Sequence, residues 1–302
     1  MISLAEEKRL KVNLALICVT FGTIGVVTHF IPLSSAAIVF YRALIGGIFI
    51  ILYSLLFGKG VNIKSMKDNL IVLIGTSFFM GLNWVFQFEA FRVSSVAIGT
   101  VCYNTMPIFL IMIASFMFNE KITLKSVICI LMAMVGIFLV SNIINTGIKL
   151  SEVLGCIYGI LGAIFYALIV AYNRKLEQID VCDKIIFQFL FSTIIMAVYV
   201  LFIAKGSLFF EKGISEREAH IGIFCILLLG LFHTGFCYIH YFIVVSKLKS
   251  ETVAIYTYID PVVALFLSYF VLHENMTVLQ FIGAILILSS TLFNELSKKF
   301  NK

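Results

Sequence analysis

Residues 107–123 and 261–277 are one block written twice. Pro107 opens an apolar run that ends at Glu120, with Thr123 three positions on; Pro261 opens a second run that ends at Glu274, with Thr277 three positions on. The two align without a gap at an offset of 154 residues, about half of the 302-residue chain. A chain that repeats an apolar unit over half its length must pack two copies of one architecture, and in membranes such duplications characterise transporters.

Composition decides the solvent. Apolar residues are 61% of the chain and charged residues 13%, about half the charged share of a soluble domain. That surface cannot face water, so lipid is the expected environment and helices the expected elements. Ten spans are predicted: 12–31, 36–57, 69–91, 95–118, 123–142, 152–173, 184–204, 219–245, 252–272 and 277–296. The expected fold is therefore an all-α membrane protein, two five-helix repeats over 1–145 and 146–302. Tyr53 with Lys59-Gly60 matches Tyr199 with Lys205-Gly206, and Val96-Ala97 matches Val253-Ala254. Five is odd, so the second copy enters the membrane inverted.

The cations test this topology. With the N-terminus inside, inner segments hold 16 Lys and Arg and outer segments five, with Arg42 left inside a span. That bias predicts both termini in the cytoplasm and a plasma-membrane location. The net charge of +6 is dispersed between apolar runs, so no nucleic acid partner is expected. The first apolar stretch is too long for the core of a signal peptide and is expected to be retained. Seven cysteines, an odd number without CxxC spacing, give no reason to expect a disulfide framework or a metal site.

These residues resemble the EamA family of the drug/metabolite transporter superfamily. The resemblance rests on Phe40-Tyr41-Arg42, Val96-Ala97, Pro107 and Glu120-Lys121-Ile122-Thr123 in the first copy. The second supplies Val253-Ala254, Asp260-Pro261 and Glu274-Asn275-Met276-Thr277. One departure is Gln188, which stands where the second copy would match Arg42. The resemblance implies a ten-helix secondary transporter, often an exporter of amino acids or other small metabolites, with a cavity lined mainly by helices 1, 3, 4, 6, 8 and 9. Its partners would be a small-molecule substrate, the bilayer and protons.

Several polar residues fall inside the spans, where each needs a partner or a wet cavity. Arg42 and Glu89 lie at similar depth. They read either as a gating pair, with Glu89 a proton carrier, or as a snorkelling arginine and a glutamate beside Arg92. Asn83 and Gln87 share a helix face around Trp84, the only tryptophan, and are expected to line the cavity. Tyr103 and Asn104 before Pro107 match Tyr256, Tyr258 and Asp260 before Pro261; paired proline breaks point to a substrate site. Asp260 reads as a proton or amine site, or as a structural acid. Tyr166 is a candidate cavity wall. His233 and His240, seven apart and expected on one face, read as packed core histidines or as proton carriers. Glu120 and Glu274 are expected to satisfy loop donors or the start of the following helix.

No Walker sequence, HExxH or GxSxG motif is present, so neither ATP drive, a catalytic role nor a cofactor is expected. The expected function is export of amino acids or organic amines by alternating access. The alternatives are nucleotide-sugar or phosphorylated-solute exchange, which would need more intramembrane cations than Arg42, and an integral-membrane enzyme.

Overall fold

In the computed structural model, residues 4–57, 66–119, 124–140, 149–176, 178–203, 207–210, 213–245, 247–248 and 250–297 are described. Glu120-Lys121-Ile122-Thr123, Lys59-Gly60 and Lys205-Gly206 lie outside them.

The described residues form helices joined by short turns. In order they are α1 (Leu4–Gly22), α2 (Ile24–His29), α3 (Ser35–Phe57), α4 (Leu70–Val93), α5 (Val96–Tyr103), α6 (Met106–Phe118), α7 (Leu124–Val140), α8 (Leu150–Asn173), α9 (Val181–Val198), α10 (Glu216–Leu227), α11 (Cys237–Val245), α12 (Ser250–Thr257), α13 (Ile259–Val271) and α14 (Val278–Ser297). A π-helical segment, Leu228–Phe236, joins α10 to α11 without a break in the rod. Among the described residues, seven helical stretches are long and apolar enough to cross a membrane; Val127–Val140, Ile259–Val271 and Val278–Ser290 are shorter apolar helices. The three shorter ones fall on the predicted spans 123–142, 252–272 and 277–296. The second of these spans is interrupted at Tyr258, which divides it into α12 and α13.

Large side chains such as Phe116 and Ile71, 90% and 88% exposed, would be untenable in water and are ordinary against lipid.

The residues group into two compact units. One holds 1–26, 86–167 and 243–302; the other holds 27–85 and 168–242. Each unit draws on both sequence halves. In the first, α13 packs on α1 and on α5, and α7 packs along α14. A Cβ at Gly136 would lie 2.8 Å from the Gly283 carbonyl oxygen, and one at Gly283 would lie 2.6 Å from that of Gly136. Paired glycines let these backbones touch, the close packing that membrane helices use in place of a hydrophobic drive. Ile98, Val101, Cys102, Cys156 and Ile287 form the buried core there. In the second unit, α3 packs against α9 and against the π segment.

The duplicated block shows itself in the backbone. The helix of each copy breaks before its proline, at Asn104-Thr105 and at Tyr258. A proline removes an N–H and leaves a carbonyl one turn back without its donor. Side chains around the breaks bond back onto the preceding turn: Thr105 Oγ1 donates to Cys102 O (2.6 Å), Asn104 Nδ2 to Thr100 O (2.8 Å) and Thr257 Oγ1 to Val253 O (2.7 Å). Within the block too lie the non-glycine residues with positive φ among those described, Asn119 (53°) and His273 (55°). They also stand 154 residues apart.

Candidate functional site

The sequence-predicted residues fall into two groups, one in each unit.

In the unit that holds α5 and α13, Tyr103 at the end of α5 stacks on Tyr166 of α8, with centroids 5.8 Å apart and planes at 6°. Asn104 follows at the break. Across the repeat, Tyr256 precedes the matching break and Tyr258 stands at it, both half-buried, and Asp260 sits in the first turn of α13. Gly22 of α1 allows the approach: a Cβ there would lie 2.7 Å from the Asp260 carbonyl oxygen. Asp260 is half-buried, and among the described residues no donor is hydrogen-bonded to its carboxylate. Gln87 is half-buried in the same unit.

In the other unit the group is built on α3. Arg42 is 2% exposed. Its Nε donates to Thr234 Oγ1 at 2.9 Å, and its guanidinium carbon lies 4.1 Å from the centre of the Trp84 ring. Trp84 in turn packs on Phe189 at 5.3 Å, and Phe189 meets Tyr238 edge-on at 5.7 Å. One of the two readings of Arg42 is corrected here. Arg42 does not snorkel outward, because an indole face and a hydroxyl hold its head inside. Trp84 is itself buried. Asn83 beside it is also buried.

The π segment is what turns Thr234 and His233 inward. Its wider turn lets Thr234 Oγ1 donate to Leu229 O at 2.8 Å and brings His233 Nδ1 within 3.1 Å of Leu228 O, both five residues back. Gly46 of α3 makes room, since a Cβ there would lie 2.6 Å from the Thr234 methyl. The same insertion ends the expected alignment of the two histidines. His233 is buried, whereas His240 is half-buried on α11 against Phe236, its Nδ1 3.0 Å from Phe236 O. Such π segments concentrate at functional positions in helices, and nothing in the residue pattern of 228–236 announced this one.

Gln188 completes this unit. It is 1% exposed, and its Nε2 donates to Thr76 Oγ1 (2.9 Å) and Asn173 Oδ1 (3.0 Å). Four residues on, Ser192 Oγ donates to Ser77 O at 2.7 Å.

Two acids have other duties. Glu89 is held by Arg92, whose Nη2 lies 2.9 Å from Glu89 Oε2; the guanidinium donates to both carboxylate oxygens. Glu274 accepts from Val96 N–H (3.0 Å) and Ala97 N–H (3.3 Å), and from Ser268 Oγ. Of the two uses expected of it, loop donors or the start of the following helix, the second is not what its bonds serve, since these N–H groups open α5. The following helix, α14, is capped by Thr277 and Gln280, each side chain accepting from the other's backbone N–H.

The sequence profile of the EamA-like transporter family matches residues 11–142 and again 153–295. The chain is 24% identical over 246 residues to the "Uncharacterized transporter YoaV" of Bacillus subtilis (strain 168), covering 80% of this chain and 82% of that one. It is 29% identical over 141 residues to the "Uncharacterized transporter YxxF" of the same organism, a match that spans 47% of this chain and 45% of the relative's length. A solved structure titled "Crystal structure of protein" superposes with a TM-score of 0.62 at 15% identity, covering 99% of this chain and 100% of that one. It shows the same fold.

Proposed function

The chain belongs to the EamA-like transporter family, and on that premise we propose that it exports small polar metabolites, amino acids or organic amines, by alternating access between inverted repeats. The observation that carries this reading is Asp260. It is a half-buried carboxylate at the break of a repeated apolar helix, given no hydrogen bond by the described residues around it. Charge inside a membrane protein is costly and is kept where it meets an ion or a substrate. An ammonium group or a proton is the partner such a carboxylate fits. The stacked Tyr103 and Tyr166 in the same unit offer ring faces to a cation or an apolar side chain.

The ten-span topology has independent support. Six spans separate the turn before Val96 from the turn that holds Glu274. An even number returns the chain to the same face, which is what the bond between Glu274 and the Val96 N–H requires. The cation count makes that face the outer one.

The test has two stages. Metabolite pools are compared between cells that overexpress and cells that lack the protein, and the solutes that change are assayed by counterflow in proteoliposomes. Asp260→Asn is expected to abolish the pH dependence of that counterflow. Full transport with the wild-type pH profile would remove Asp260 from the mechanism. Glu89→Gln is expected to leave the profile unchanged, since Arg92 already neutralises Glu89.

A further inference from the structure

Helix α5 is only eight residues, about 12 Å, long. One end carries Tyr103 and leads into the Asn104 break; the other is the N-terminus that Glu274 binds. An N-terminus presents several N–H groups without intrahelical partners. Ser95 Oγ already accepts from Ile98 N–H at 3.1 Å, the ordinary local cap. The Val96 and Ala97 N–H groups go instead to a carboxylate 178 and 177 residues away.

The delivery of that carboxylate is built into the backbone. His273 takes a left-handed φ of 55°, unfavourable for a side-chain-bearing residue. The turn is closed by Glu274 N–H donating to Ser268 O at 3.1 Å. Ser268, 1% exposed, then steadies the Glu274 carboxylate with its hydroxyl. Since α14 has its own capping pair, Glu274 is spare for this use. The result is a tie between the end of α13 and the start of α5, made by one side chain at one membrane face.

We propose that Glu274 is a releasable latch and positioning residue. It closes this face by holding α5 to α13, and its release lets α5 shift and carry Tyr103 and Asn104 with it. The proposal rests on the transporter reading above. Because α13 also packs on α5, the shift is a small slide of packed helices, and the two N–H bonds from α5 to one carboxylate are the directional part of the contact that breaks and remakes locally.

The last turn of α5 carries a native reporter, Cys102, 0% exposed; Cys237 of the other unit, 2% exposed, serves as a control. Full-length protein in right-side-out and inside-out vesicles is exposed to a membrane-impermeant sulfonated maleimide, and labelling is read cysteine by cysteine by mass spectrometry. Glu274→Ala is expected to raise Cys102 labelling from the outer face about fivefold, with Cys237 and inner-face labelling unchanged. Glu274→Gln keeps one acceptor oxygen and is expected to fall between, and it decides the matter if the alanine variant does not assemble. Unchanged Cys102 labelling would overturn the latch. So would a rise shared by Cys237, or one equal from both faces, because either is general loosening. The readout needs no substrate. A protein that moves no solute but shows the one-sided rise would count against the transport reading and leave the latch standing.

Discussion

Arg42 and Gln188 stand at matching positions of the two copies, both buried in the same unit, and they are held by matching parts. Arg42 bonds a threonine hydroxyl of the π segment, and Gln188 bonds a threonine hydroxyl of α4. Four residues beyond Arg42, Gly46 receives the Thr234 methyl; four beyond Gln188, Ser192 bonds the Ser77 carbonyl. The scaffold is duplicated and the charge is not. Around Arg42 lie an indole face and a widened helical turn; around Gln188 lies a second amide, Asn173. One corner is a neutral joint satisfied by its own amides. The other keeps a full charge inside the protein, which selection retains where the charge has work to do.

The largest effect is expected from making the neutral corner charged. Gln188→Arg puts a guanidinium where the described partners are a hydroxyl and an amide, and should cost about 3–5 kcal/mol of stability. Thermal unfolding in detergent would show it, and a stable variant would mean the two corners are interchangeable. The reverse change, Arg42→Gln, should be milder in stability, about 1.5–3 kcal/mol, yet lower counterflow at least about tenfold. Equal loss of stability and transport would make Arg42 a structural joint like its counterpart. Trp84→Phe keeps a ring under Arg42 but weakens its attraction, at about 0.5–2 kcal/mol. Because Trp84 is the only tryptophan, the wild-type emission reports this corner directly, and a transported solute that leaves it unmoved does not reach Arg42. The smallest change, about 1 kcal/mol, is expected for Thr76→Val, which removes one acceptor from Gln188 and should leave transport intact.

Much of the fold was legible because the repeat is written in residues with strong local effects. Pro107 and Pro261 gave both helix breaks, and the apolar runs gave the helices. The site was legible only in part. The depth of Arg42 along its helix could be read, but not which way the helix faces, and that rotation separates an arginine over Trp84 from one reaching for lipid. Glu274 was recognisable as a capping acid, but its partner lies 178 residues away, and no local pattern names a partner at that range. The left-handed turn at His273 follows from the same long-range demand, to point Glu274 back toward α5.

The π segment has a consequence of phase. A helix turns about 100° per residue, so an extra residue absorbed in 228–236 resets the angular register of everything that follows relative to everything before. His233 and His240 are out of step for that reason. A one-residue deletion within the segment is expected to return the turn to α geometry, leaving α11 facing as it does while withdrawing the five-residue bonds that turn His233 and Thr234 inward.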